Sequence, residues 1–175
     1  YSNYSKADRS GNYIPRNYAR NVMNSLEPNA ILFTNGDNDT FPLWYIQEVE
    51  NVRKDCRVVN LSLLNSNWYI KQMRDMEPKV PIAVSDEQID SIRPTIFSKD
   101  MRFKHAGMDI IYPKGTPFYV KDRMVLHILA ANNWKKPVYF ATSVPPGNLL
   151  SLEPYLNVEG VVYRVNPRKV EELAA

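Results

Sequence analysis

The pentapeptide Asn35-Gly36-Asp37-Asn38-Asp39 sets two carboxylates and two side-chain amides within five positions. It stands between an apolar run, Ala30 to Thr34, and an amphipathic one that starts at Thr40. Oxygens at this density can hold a hard cation such as Mg²⁺ or Ca²⁺, or hydrogen-bond a polyhydroxylated ligand. The same residues can also end a strand and start a helix. Asp39 suits a helix N-terminus by hydrogen bonding and by charge, and Gly36 suits a bend. That accounts for Gly36 and Asp39 only. Asn35, Asp37 and Asn38 exceed what a βα loop of about 2 to 6 residues needs. A dedicated cation site would need further carboxylates, and none is close in sequence, so no metal is assigned. Asp37-Asn38-Asp39 also has the Asp-x-Asp form by which many nucleotide-sugar glycosyltransferases hold their metal. Those enzymes carry a nucleotide-binding unit ahead of the motif, whereas only 36 residues precede it here and a helix follows at once. The triplet is not a catalytic signature in this setting.

Other reactive residues are sparse. His105 and His127 are the only histidines, which excludes a multi-histidine metal centre. His127 falls inside an apolar helical stretch and reads as a satisfied core or boundary residue. Ser62 has no Gly-x-Ser-x-Gly setting, and neither Gly-x-Gly-x-x-Gly nor a Walker loop occurs. Cys56 is the single cysteine, which excludes an internal disulfide framework and a cysteine-rich zinc site. Trp44, Tyr45, Trp68 and Trp134 sit at helical positions, where packing into the core is the default.

The elements that must position these residues follow from periodicity. Ile14, Tyr18, Val22 and Leu26 repeat every four positions and predict a helix over 14–26. Ala30–Thr34, Arg57–Leu64 and Val138–Thr142 are short apolar runs bounded by turn residues, and read as buried strands. Helices are expected over 40–52, with Asp39 or Thr40 as N-cap and Pro42 in the first turn, and over 66–76 and 86–92. Another runs from a cap at Asp122 to Asn133, and 109–112 and 160–165 read as further strands. Alternating strands and helices predict an α/β fold, a single domain with a mostly parallel, Rossmann-like sheet flanked by helices. A loose N-terminal arm over residues 1–12 precedes the domain, which spans 13–170.

Right-handed crossovers would gather the strand C-termini on one edge, where open α/β sheets bind ligands. The loops Asn35–Asp39, Asn65–Asn67 and Ser143–Asn148 would then be neighbours. The candidate ligand-binding residues are therefore Asn35, Asp37, Asn38, Asp39, Asn65, Asn67 and Ser143. Asp39 is expected to cap the following helix, and Asp37 to point outward.

Bulk properties bound these readings. The 175 residues are 44% hydrophobic and 23% charged, the proportions of a globular chain with one core. The net charge of +3 is spread along the sequence, so nucleic acid is not an expected partner. No apolar run approaches the roughly 20 residues of a spanning helix. No charged-then-apolar leader is visible, and a first residue of Tyr1 marks the chain as a piece of something longer.

Three stretches go beyond general patterning: residues 27–73 (EPNAILFTNGDNDTFPLWYIQEVENVRKDCRVVNLSLLNSNWYIKQM), 122–144 (DRMVLHILAANNWKKPVYFATSV) and 152–165 (LEPYLNVEGVVYRV). With the Asp8-Arg9-Ser10-Gly11 arm, they resemble the soluble C-terminal region of a bacterial membrane-protein family known as domain of unknown function 2723. Members of that family carry a many-spanning N-terminal part similar to GT-C-type protein O-mannosyltransferases, which use lipid-phosphate-linked sugars. The resemblance implies a soluble domain on the extracytoplasmic, periplasmic face of a membrane. Its partners would be the membrane-embedded part of the same polypeptide and a glycan or peptide acceptor. In GT-C enzymes the catalytic acid lies in a loop between early membrane spans, which this chain lacks, so the resemblance transfers no catalytic residue.

Two functions compete on this basis. One is an accessory or ligand-binding domain of a membrane glycosyltransferase-like protein, without a cofactor and not itself catalytic. The other is an independent, metal-assisted enzyme acting on a sugar or phosphate through Asp37 and Asp39. The absence of a nucleophile–base pair favours the first.

Overall fold

The computed structural model describes residue 3 and residues 8–173. Of the arm expected over 1–12, residues 1, 2 and 4–7 lie outside the described residues. Helix α1 (Ile14–Asn24) takes Pro15 in its first turn, where the missing N–H costs nothing, and turns Ala19, Val22 and Met23 to the core. Strand β1 (Ile31–Thr34) is buried at every position. Helix α2 (Asp37–Glu48) follows, then β2 (Arg57–Asn60), a 3-10 turn at Leu63–Asn65, α3 (Asn67–Asp75) and α4 (Asp86–Ser91). Next come β3 (Thr95–Ile96), β4 (Met101–His105), β5 (Met108–Tyr112), β6 (Pro117–Phe118) and α5 (Val120–Asn132). Strand β7 (Val138–Ala141) leads through 3-10 turns at Pro146–Asn148 and Glu153–Tyr155 to β8 (Leu156–Glu159), β9 (Val162–Val165) and α6 (Val170–Leu173).

Five strands form the main sheet in the order β2-β1-β7-β9-β8. Strand β1 is parallel to both β2 and β7, whereas β9 runs antiparallel to both β7 and β8. The sheet is therefore mixed and only partly parallel, which corrects the expectation of a mostly parallel one. A parallel neighbour needs a long crossover, and β9 is reached instead through a tight hairpin from β8. That hairpin turns at Gly160, whose φ is 62° and where a Cβ would meet Ser25 Oγ at 2.6 Å. The β4–β5 hairpin was not expected from sequence. It turns on Ala106 and Gly107, both at positive φ, as a two-residue hairpin loop requires.

Both faces of the sheet feed one continuous core, in which Phe33, Phe140, Tyr69 and Ile70 are fully enclosed. Phe33 and Phe140 are register partners on β1 and β7, with ring centroids 5.0 Å apart. The default of buried helical aromatics fails at two positions, since Trp68 and Tyr45 are 59% and 50% exposed. Trp44 is half-buried and stacked on Phe41, and Trp134 donates its indole N–H to the Ala106 carbonyl at 2.8 Å. Helical spacing places a residue on a stripe, but the width of the covering element decides whether that stripe is covered.

His127 is a satisfied boundary residue, its Nε2 accepting the Ala83 backbone N–H at 3.0 Å. Burial lowers its pKa, since the charged imidazolium is poorly hydrated there. The unfolded chain therefore binds the proton more readily than the folded one. Stability from this group should be complete above the ordinary histidine range and fall as pH drops from about 6.5 toward the lower folded value. Unfolding midpoints followed from pH 7.5 to 5 should show that slope, and His127→Gln should remove part of it.

Cys56 is buried, and burial pushes its thiol up to about 11. It is therefore a packing residue and not a nucleophile. Around it, Arg53 donates to the carbonyls of Met23, Leu26 and Glu27 and pairs with Asp55, fastening the end of α1 to the entrance of β2.

Candidate functional site

Because β1, β2 and β7 are parallel, the loops after them share one edge of the sheet. Beneath that edge lies a buried polar layer. Thr34 and Thr40 share a hydroxyl hydrogen bond of 2.7 Å, and Asn60 donates its amide to Thr40 Oγ1 at 2.9 Å. The Asn60 Oδ1 accepts the Leu63 N–H, so the amide is satisfied on both sides. This layer ties the start of α2 to the ends of β1 and β2.

Asp39 is the centre of the turn. It is 6% exposed, and its Oδ1 accepts the Gly36 N–H at 2.9 Å. Its Oδ2 accepts the Asn35 N–H at 2.9 Å and the Ser143 hydroxyl at 2.7 Å. The carboxylate thus caps the helix from its third residue, reaching back to the chain before it. Gly36 is the residue at the N-cap position, and neither Asp39 nor Thr40 occupies it. The helix starts at Asp37 and ends at Glu48, earlier at both ends than expected, so Pro42 lies inside it. The missing proline N–H removes the usual i+4 donor to the carbonyl of exposed Asn38. Asp122 repeats the device in α5, accepting the Tyr119 N–H at 2.8 Å from the third helical position. An aspartate before an apolar stripe is read equally well as N-cap or as third residue, and only the backbone separates the two.

Gly36 does not make a bend that only glycine can make. Its φ of −140° and ψ of −166° are extended, and an added Cβ would meet nothing within 4 Å. Gly36→Ser should therefore stabilise the chain by about 0.5 kcal/mol, by supplying the other half of the capping box and stiffening the unfolded chain. Thermal melts of the two proteins test this, and a fall in Tm would mean that the glycine is needed for close approach.

The remaining predicted residues divide. Asn35 is drawn into the rim, its carbonyl accepting the Ser62 hydroxyl at 2.7 Å and its Oδ1 accepting the Asn148 amide at 2.6 Å. Ser143 is exposed and joins the rim through Asp39. Asp37 and Asn38 are exposed, and their side chains make no hydrogen bond or ion pair among the described residues. Asn65 faces the start of α5, its Oδ1 accepting the Lys121 backbone N–H at 3.1 Å. Asn67 turns away from the rim to donate to Asp90 at 3.0 Å, beside the Lys71–Asp90 ion pair.

Sequence reading missed Tyr18. It is half-buried on α1, and its buried hydroxyl lies beside Ser143 and Asp39 without a hydrogen bond of normal geometry. Burial raises its pKa, the nearby Asp39 charge adds to the rise, and the Ser143 hydroxyl opposes it. Lys121 and Asn148 were also missed as connectors. Nothing in their local sequence marks them, because their partners lie on other elements. Among the described residues no group of three or more His, Cys, Asp or Glu side chains is placed to share a metal ion.

The fold and the rim define a mixed α/β domain whose sheet-edge loops are knitted together by side-chain hydrogen bonds. The chain belongs to the family described as TMEM260-associated domain 2, whose model matches residues 15–92 and 77–175. It is 32% identical over 80 residues to a Mus musculus protein named Protein O-mannosyl-transferase TMEM260, covering 46% of this chain and 11% of that protein. It is 30% identical over 67 residues to the Dictyostelium discoideum Protein O-mannosyl-transferase tmem260, covering 38% of this chain and 8% of that protein. The chain thus matches only a small part of the length of either relative. No solved structure matches it. The expected kinship with O-mannosyltransferase-type proteins holds at this level, and the narrower assignment to domain of unknown function 2723 is not part of the match. No helix of the described residues is long and apolar enough to cross a membrane.

Proposed function

We propose that this chain, over residues 13–170, is an accessory, ligand-binding domain of a membrane glycosyltransferase-like protein and not the site of transfer. It would stand on the extracytoplasmic face, beside the membrane-embedded part of the same polypeptide, and help to hold a glycan or peptide acceptor. Similarity to two proteins named as O-mannosyl-transferases supports the setting.

One observation carries the accessory reading. The Asp39 carboxylate is spent on the Asn35 and Gly36 N–H groups and the Ser143 hydroxyl, so it holds the rim together. The competing enzyme reading needs Asp37 and Asp39 as a working pair, and only Asp37 is free to face solvent. The exposed Asp37 and Asn38 side chains then form a polar surface for an acceptor's hydroxyls or amides.

The test uses the full-length protein that carries this domain, with and without it, in a glycosyl-transfer assay. Deletion should weaken acceptor use, chiefly through KM, and leave transfer itself detectable. The reading is overturned if the domain alone turns over an activated sugar or phosphate ester with Mg²⁺ and Asp37→Ala abolishes that turnover.

A further inference from the structure

A cavity of about 550 Å³ lies next to the rim and shares Asn148 with it. That is within the range that takes a small ligand. One wall is the start of α5, with Tyr119, Lys121 and Asp122, and the facing wall is the loop after β7, with Asn148, Ser151 and Glu153.

Asp122 caps α5 through the Tyr119 N–H, but three features of these walls go beyond capping. Lys121 and Asp122 form an ion pair whose side chains are only 13% and 5% exposed. Withdrawing both charges from water offsets most of their attraction, so the pair is a poor device for stability alone. Tyr119 keeps half of its surface exposed, with the Lys121 ammonium 5.7 Å from its ring centroid. Leu150 and Ser151, consecutive residues of the facing loop, both adopt left-handed backbone with φ of 59° and 56°. Such strain in non-glycine residues gathers at ligand clamps. Here it is held by the Tyr112 hydroxyl, which donates to the Leu150 carbonyl at 2.9 Å.

Charge narrows the ligand. Asp122 neutralises Lys121, and Glu153 leaves the walls net negative, which disfavours phosphates and nucleotides. What remains is an aromatic ring, an amide, a hydroxyl and carboxylate lone pairs. These groups suit a ring with one apolar face and a rim of hydroxyls. We propose that this cavity binds a neutral saccharide of one or two residues, stacked on Tyr119, with Asn148, Ser151 and Glu153 hydrogen-bonding its hydroxyls. The proposal rests on the reading of the chain as a ligand-binding domain, and adds to it a place and a ligand class.

The test is a titration of the ¹⁵N-labelled 175-residue chain, followed through its amide shifts. The probes are mannose, glucose, galactose and their methyl glycosides, with inorganic phosphate in a separate arm. Saturable shifts at Tyr119, Ser151 and Glu153 with a saccharide, and none with phosphate, are expected. Tyr119→Ala should weaken binding about tenfold with an unchanged melting curve, and Tyr119→Trp should retain it. The proposal is overturned if no saccharide shifts these amides, if phosphate does so instead, or if Tyr119→Ala binds as well as the parent chain. Saccharide shifts confined to Asp37 and Asn38 would also overturn it, while leaving the accessory function in place. Failure of that function would appear separately, in the domain-deletion assay.

Discussion

Phe140→Ala should lower the unfolding free energy by about 3 to 5 kcal/mol, the range for deleting a buried aromatic ring. Phe140 is fully enclosed at the middle of β7, between Phe33 on β1 and Tyr163 on β9 in register. Its ring meets that of Phe33 at 5.0 Å, tilted by 32°, so truncation loses both the transfer energy and a ring–ring contact. The strand also joins the parallel half of the sheet to the antiparallel half, which leaves the surrounding backbone little freedom to collapse into the void. Equilibrium urea unfolding measures the change. A loss below about 1 kcal/mol would show that β7 is not the centre of the core.

The second large effect separates the two aspartates of the turn. Asp39→Ala should cost about 2 to 3 kcal/mol, because it strands the Asn35 and Gly36 N–H groups and the Ser143 hydroxyl together. That exceeds the roughly 1 kcal/mol of an ordinary cap, since this carboxylate also joins the loop after β7 to the start of α2. Asp39→Asn keeps one acceptor oxygen and should fall between. Asp37→Ala should change stability by less than about 0.5 kcal/mol, as for an exposed side chain without partners. Paired thermal and urea melts of the three variants give the comparison. If Asp37→Ala is as costly as Asp39→Ala, the outer carboxylate is structural and does not offer a polar surface to an acceptor.

The difference between these two residues is not written in their local sequence. Both are aspartates in one turn, and period and capping rules place either of them near a helix start. Sequence patterning located the buried strands at 31–34 and 138–141 because uninterrupted apolar runs between turn residues have few other solutions. It located α1, α2 and α5 within a few residues at each end, from helical apolar spacing and the capping residues before it. It also located the edge at which the rim forms, because parallel strands joined through helices must end their chains on one side.

Direction, length and partnership were beyond it. The segment at 162–165 is as apolar read forward as backward, so its residues could not show that it runs antiparallel to β7. The segment at 57–64 became a four-residue strand followed by a 3-10 turn, because Asn60 is held by the Leu63 N–H and by Thr40. Asn65 and Asn67 are alike in sequence, yet one meets the backbone of Lys121 and the other meets Asp90. What the sequence by itself determined is therefore which residues are buried in strands and which cluster in loops at one edge. Which loop side chains bond one another, and which stay free for a ligand, was decided only in the tertiary structure. Local apolar pattern controls burial through solvent exclusion, whereas a side-chain hydrogen bond needs two groups within about 3 Å. Such pairs as Ser143 with Asp39, or Asn148 with Asn35, lie more than a hundred positions apart and meet only when the sheet is assembled.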